Sequence, residues 1–286
     1  MYTTLISVPQ LQAMRQSPRP CMVFDCSFEL GNPAAGDQQY QDSHIPGAVR
    51  ADLERHLSAS KLSLDTASAG RHPLPSREAF AMWLASVGFD TTMQAVVYDR
   101  QGINYCGRMW WMLKWVGHEN TAVLDGGLQA WLASDGAVEA GPGRPANPST
   151  FVPREARIQL KSSHQVLMHL GRPEQSLIDA RAPARHRGET EPLDPVAGHI
   201  PGALNRPFGQ NFDPTGKFKP AQQLRAEFEA LLGQRDPASV VHHCGSGVSA
   251  VPNIIAMEVA GLGRSALYAG SWSEWCSDLT RPVALG

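Results

Sequence analysis

No run of roughly 18 apolar residues occurs in the 286-residue chain, so nothing in it is expected to span a bilayer. The start, Met1-Tyr2-Thr3-Thr4-Leu5-Ile6, lacks the basic stretch and long apolar core of a secretion signal. Cysteine is scarce. Cys21, Cys26, Cys106, Cys244 and Cys276 are an odd set whose spacings match neither a zinc site nor a disulfide framework. The expectation is a cytoplasmic protein with reduced thiols, no metal and no cofactor. A surplus of positive charge is missing too. Lys and Arg total 25 against 27 Asp and Glu, a net charge of −2, which argues against nucleic acid or an anionic membrane as a general partner. What is present is 42% hydrophobic against 18% charged residues, enough for true cores. The length divides into about two domains at roughly 150 residues each.

The chain repeats itself. His44-Ile45-Pro46-Gly47-Ala48 recurs 155 positions later as His199-Ile200-Pro201-Gly202-Ala203. Val23-Phe24-Asp25-Cys26 has a counterpart in Leu177-Ile178-Asp179-Ala180, and Ala95-Val96-Val97-Tyr98-Asp99 resembles Ser239-Val240-Val241-His242-His243. Val123-Leu124-Asp125-Gly126-Gly127 with Trp131 resembles Ala266-Leu267-Tyr268-Ala269-Gly270 with Trp275. One period that halves the protein implies a tandem duplication, because a solenoid needs short units. The expected division is a first domain over 1–138, a proline-rich extended linker over 139–154, and a second domain over 155–286.

Short β-prone runs around 22–24, 95–98 and 122–124 alternate with amphipathic stretches. Phe80, Trp83, Leu84 and Val87 fall at helical spacing between an N-cap at Ser76 and a stop at Gly88. Leu224, Phe228 and Leu231 do the same over 221–232. The alternation predicts an α/β fold, each domain a mostly parallel sheet with helices on both faces. Ligands then bind beyond the carboxyl ends of the strands.

Cys244 stands at such an end. It follows the run Val240-Val241 and opens Cys244-Gly245-Ser246-Gly247-Val248-Ser249, with a helical stretch after it that ends at Gly261. Gly245 and Gly247 allow the loop to curl, so that its N–H groups and the helix N-terminus converge on an anion. Such a pocket favours a thiolate, the reactive form of cysteine. An imidazolium at His242 or His243 would add to that effect, although one of the two side chains should point to each face of the sheet. Trp110, Trp111, Trp115, Trp272 and Trp275 read as core, and His44 and His199 as parts of the fold.

The paired HIPGA segments, the DGG…W element and the CGSGVS loop together resemble the rhodanese superfamily. Over nearly the whole chain they are similar to its two-domain sulfurtransferases, which act on 3-mercaptopyruvate or thiosulfate. The resemblance implies that Cys244 is the nucleophile and that the first half, with Tyr98-Asp99-Arg100 at the matching strand end, is structural. A CGSGV loop is typical of the mercaptopyruvate enzymes, whereas the thiosulfate enzymes usually carry two basic residues where Gly245 and Ser246 stand. A neutral loop suits a monoanion better than a dianion. The resemblance further implies that Arg185 clamps the donor carboxylate, with Gly245, Gly247, Val248 and Ser249 lining the site. It also implies that Glu54, His72 and Ser246 form an acid–His–Ser relay. Asp194 stands where these enzymes usually have a second Arg.

The expected function is therefore transfer of sulfane sulfur from 3-mercaptopyruvate to a thiol or cyanide through a Cys244 persulfide. A thioredoxin-like protein is the expected class of physiological acceptor. Thiosulfate:cyanide transfer by the same double displacement is the alternative, and a non-enzymatic sulfur-relay or partner-binding module a more distant one. A phosphatase of the Cys-x5-Arg type is disfavoured because Ser249, Ala250 and Val251 supply no Arg.

Overall fold

The computed structural model describes residues 1–60, 62–63, 65–143 and 147–286; residues 144–146 of the expected linker lie outside them. Two compact units emerge. The first comprises Met1–Ser60, Pro75–Arg157 and Pro214–Phe218, the second Lys61–Leu74, Ile158–Asp213 and Lys219–Gly286. The expected cut at 139–154 follows the chain in order, whereas these units exchange two short segments, 61–74 and 214–218.

The first unit is built on a five-stranded parallel sheet of β1 (Leu5–Ile6), β2 (Cys21–Asp25), β3 (Val49–Arg50), β4 (Gln94–Tyr98) and β5 (Thr121–Leu124). Their spatial order is β1-β5-β4-β2-β3. Alternation along β2 decides which helix covers which face. Val23 packs with Leu11 and Met14 of the helix Val8–Arg15 and with Leu128 and Trp131. Phe24 points the other way, its ring 6.1 Å from Trp83 and 5.6 Å from Phe89. Trp83 belongs to the helix Arg77–Ser86, whose N-cap is Ser76 as its sequence predicts, the hydroxyl accepting from the Ala79 amide. Phe24 and Phe89 are fully buried, and each contributes about 1.5–3 kcal/mol by leaving water. The described part of the linker is irregular but tied down. Phe151 stacks on Phe89 at 5.8 Å, and the Ser149 and Arg154 amides donate to Ala85 and Val116.

The second unit carries β6 (Ser176–Asp179), β7 (Leu204–Asn205), β8 (Val240–His243) and β9 (Ala266–Leu267), all parallel, in the order β7-β6-β8-β9. Read in reverse, this is the β5-β4-β2-β3 order of the first sheet. The counterpart of β1 shrinks to one parallel bridge, Leu160 to Leu267. Leu177 and Val241 pack with Val166, Trp272 and Trp275 on one face. On the other face His242 meets Met257 of the helix Val251–Val259. The repeated histidines play matching structural parts. His44 bridges to Glu139 and stacks on Tyr40, and His199 bridges to Ala284 and stacks on His186.

The registers fix how the halves correspond. Asp25 pairs with Tyr98, and Asp179 pairs with His243. Tyr98 is thus the counterpart of His243, and Asp99 that of Cys244. This is one residue away from the alignment of 95–99 with 239–243 that the sequences alone invite.

Candidate active site

Cys244 leaves the carboxyl end of β8, seven positions before the helix Val251–Val259. Asp99 leaves β4 seven positions before the helix Cys106–Trp115. The middle glycines agree, with Gly102 at φ +69° and Gly247 at φ +72°. The two loops thus share a length and a left-handed middle glycine, although Ile103 is left-handed as well (φ +61°) where its counterpart Val248 is not. In the first, the Asp99 carboxylate accepts four amides. Gln101 and Ile103 donate to Oδ1 at 3.0 and 2.9 Å, and Tyr105 and Cys106 to Oδ2 at 2.8 and 2.9 Å. Burial raises the Asp99 pKa and these amides oppose the rise, so the curled backbone favours an anion at its centre. In the second loop a thiol stands in place of the carboxylate. The amides of Gly245, Ser246, Val248, Ser249 and Ala250 have no acceptor among the described residues. The loop closes into the helix through the Val251 amide on the Val248 carbonyl, with Val248 buried and Ser249 half-buried.

Cys244 is only 2% exposed, and the residues around it fix the backbone there. A side chain on Gly247 would strike the Ala269 carbonyl, so φ and space both demand glycine. The Cys244 amide donates to Ser271 Oγ at 3.0 Å, and that hydroxyl donates to the Tyr268 carbonyl at 2.9 Å. Ser271 does this from a left-handed backbone, φ +54°, where its counterpart Gly127 has φ +59°.

The exchanged segment 61–74 brings His72 into the same unit. His72 Nδ1 lies 2.8 Å from Ser246 Oγ, and both residues are buried. The approach is close. Gly70, at φ +94°, leaves no room for a Cβ, which would sit 2.7 Å from the Gly270 carbonyl and from Ser273 Oγ. The next amide, of Arg71, donates to that same Ser273 hydroxyl at 3.0 Å. Glu54 belongs to the first unit, exposed in the turn after β3, with its amide donating to Asp52.

Arg185 is both at the loop and paired with acids. Its Nη2 reaches Glu191 at 2.6 Å and Asp194 at 3.4 Å, while Nη1 faces Gly245. Arg181 is structural. It is held to Asp179 through Nε and Nη2, donates to the Gly198 carbonyl at 2.7 Å, and lies over Trp272 at 4.8 Å. Burial alone would raise the Asp179 carboxyl, but His243, His186 and Arg181 outweigh it and hold it below its ordinary value.

An imidazolium beside the thiol is not part of this site. Burial drives His242 down to about 3 and His243 down to about 4, so both rings are neutral near pH 7. Trp272 and Trp275 are fully buried, their indole N–H groups on the Val196 and Pro282 carbonyls. A cavity of about 600 Å³ lined by Arg172, Ser176, Arg235 and Asp236 opens at the amino ends of β6 and β8, the opposite end of the sheet from Cys244. Among the described residues there is no cluster of His, Cys, Asp and Glu able to hold a metal, and no helix is long and apolar enough to cross a membrane.

Sequence reasoning missed Ser271 and Arg71. No sequence signal pointed to Ser271, because the sequence repeat sets Gly127 against Gly270; the strand registers, Val97 on Val123 and His242 on Leu267, set it against Ser271 instead. For Arg71 the signal was adjacency to His72.

With this geometry in hand, comparisons with known proteins are specific. Residues 7–134 and 162–278 each match the rhodanese-like domain. The chain is 43% identical over 283 residues to a Pseudomonas aeruginosa protein with the provisional name 3-mercaptopyruvate sulfurtransferase, covering 99% of this chain and 98% of the other. It is 37% identical over 282 residues to a Mycobacterium tuberculosis protein provisionally named a thiosulfate sulfurtransferase, covering 99% and 97%. Among solved structures it is similar to SseA from Escherichia coli, described with the rhodanese fold of 3-mercaptopyruvate sulfotransferases. The TM-score is 0.78 at 29% identity, covering 95% of this chain and 100% of that one.

Proposed function

The chain belongs to the rhodanese-like family, carries that domain twice and is a sulfurtransferase acting on a sulfur donor; from this premise we propose that Cys244 carries the sulfur as a persulfide and that 3-mercaptopyruvate is the donor. The observation that carries the reading is the loop itself. A thiol stands where the sister loop has a carboxylate, and five surrounding amides have no acceptor among the described residues. The outer sulfur of a persulfide, or the charge developing during transfer, is what such amides stabilise.

The Cys244 thiolate attacks the donor sulfur, an S–S bond forms and the C–S bond breaks. The leaving carbon takes the electron pair as the enolate of pyruvate, and the donor's thiol proton ends on the pyruvate methyl. Ser246, hydrogen-bonded to His72, can pass that proton, and Arg185 holds the donor carboxylate. A thiol acceptor, such as a thioredoxin-like protein, or cyanide then attacks the outer sulfur and restores the thiolate. No charged side chain lies in Gly245–Ser249, which favours a monoanion over thiosulfate.

The test is Cys244→Ser with mercaptopyruvate, followed by pyruvate release and by intact mass for a sulfur adduct of about 32 Da on the wild type. Loss of both supports the nucleophile, and retention of either overturns it. Side-by-side kcat/KM values decide the donor, and a higher value for thiosulfate overturns mercaptopyruvate.

A further inference from the structure

Two guanidiniums face the loop that opens with Cys244. A methyl group placed on Gly245 would lie 3.0 Å from Arg71 Nη2, and 3.5 and 3.6 Å from Arg185 Nη1 and Nη2. Their remaining nitrogens are tied from behind. Arg71 Nη1 donates to Asp194 Oδ1 at 2.5 Å, while Arg185 Nη2 reaches Glu191 Oε1 at 2.6 Å and Asp194 Oδ2 at 3.4 Å. Arg185 Nε meets Glu191 Oε2 at 3.2 Å. That leaves Arg71 Nη2 and Nε and Arg185 Nη1 without an acceptor among the described residues, the Arg71 Nε being buried. Buried donors are costly to leave unpaired, and two guanidinium edges converging on one glycine form a fork for an anion.

We propose that Arg71 is a second donor-binding residue, acting with Arg185 on the donor's carboxylate, and that Asp194 is the positioning residue that spans the two and sets the donor charge the site accepts. The proposal deepens, and rests on, the reading of Cys244 as a nucleophile toward an anionic donor. The Arg71 backbone is fixed for the task by the Ser273 hydroxyl and by the fit of Gly70. Charge follows from the same contacts. Arg71, Arg181 and Arg185 are matched by Asp179, Glu191 and Asp194, so the cluster is formally neutral. A carboxylate monoanion completes it with one negative charge, whereas a dianion adds two. Asp194 thus holds the two arginines in place and also limits their pull on a dianion.

The test uses the full-length enzyme and two readouts. The first is the rate of Cys244 alkylation by iodoacetate relative to neutral iodoacetamide, followed on the Cys244 peptide. It reports a cation near the thiol without any turnover. Arg71→Met is expected to lower this ratio about fivefold and Asp194→Asn to raise it by a similar factor, with Arg71→Lys close to wild type. The second readout is steady-state kinetics. Arg71→Met is expected to raise KM for mercaptopyruvate about tenfold with a smaller change in kcat. Asp194→Asn is expected to shift the ratio of kcat/KM values toward thiosulfate by about tenfold. An unchanged alkylation ratio in both Arg71→Met and Asp194→Asn overturns the proposal, as does an unchanged donor ratio in Asp194→Asn. If Arg71→Met does not fold, Asp194→Asn alone decides by the same two ratios. A wild type that fails to turn over mercaptopyruvate defeats the donor reading instead, and the alkylation ratio still decides whether Arg71 faces the thiol.

Discussion

Ser271 offers a test in which two small substitutions must fall in a particular order. Ser271→Ala removes the acceptor of the Cys244 amide and the donor to the Tyr268 carbonyl, and it keeps a Cβ at φ +54°. An orphaned buried amide and a lost donor together cost about 2–3 kcal/mol. Ser271→Gly loses the same two hydrogen bonds. It also relieves a left-handed residue of roughly 1–2 kcal/mol of strain, partly offset by the looser unfolded chain. The glycine variant should therefore be the more stable by about 1 kcal/mol, which for a chain of this size is roughly 2–4 °C in Tm. Differential scanning calorimetry of the three proteins reads the order directly, with wild type highest, Gly next and Ala lowest. An alanine variant at least as stable as the glycine variant would refute the claim that Ser271 is held strained by its two hydrogen bonds.

Three further outcomes are expected. His72→Ala should lower kcat with mercaptopyruvate about 10–100-fold and affect thiosulfate far less, because sulfite leaves without needing a proton on carbon; equal losses with both donors would remove the His72–Ser246 pair from proton transfer. His243 is held down to about 4 from 6.5, so between those values the unfolded chain binds a proton that the folded one does not, and stability falls as pH falls. Urea unfolding at pH 7 and pH 5 should show His243→Gln escaping roughly 2 kcal/mol of the wild-type loss, and identical losses would show that the ring is not held neutral. Asp99→Ala strips four amides of their acceptor and should cost at least ~3 kcal/mol by calorimetry; wild-type stability in that variant would break the equivalence of the two loops.

Much of this was legible in the chain. Strand-loop-helix around Cys244, the Ser76 cap and the duplication all express local rules or direct repetition. Arg71 and Ser271 were not legible because their roles are defined by approach across sequence distance. Arg71 faces Gly245 only once 61–74 joins the second unit, and Ser271 matters only because β8 and β9 lie side by side. The exchange of 61–74 and 214–218 leaves no signal in composition that sets these stretches apart from their neighbours. The imidazolium idea failed for a related reason. Two adjacent histidines at a strand end carry no mark in the sequence of how dry each ring is, and full burial of both keeps them neutral.

The two loops together explain why one half carries chemistry. Asp99 absorbs four amides with two oxygens, so the centre of the first loop is already occupied by an anion of its own. Replacing that carboxylate by a thiol leaves the amides of Ser246, Val248 and Ala250, counterparts of Gln101, Ile103 and Tyr105, uncommitted. A loop of that kind is less stable on its own, by about 1–3 kcal/mol for each buried donor lacking a partner. It therefore needs support from outside, and the support is visible in the Ser271 hydroxyl under the Cys244 amide, the His72 ring on Ser246 and the fitted backbone of Gly70. The first loop has Gly127 where the second has Ser271, because a loop already filled by its own carboxylate needs no such prop. Local instability at a site, offset by contacts around it, is what a stored preference for a bound anion looks like in a folded chain.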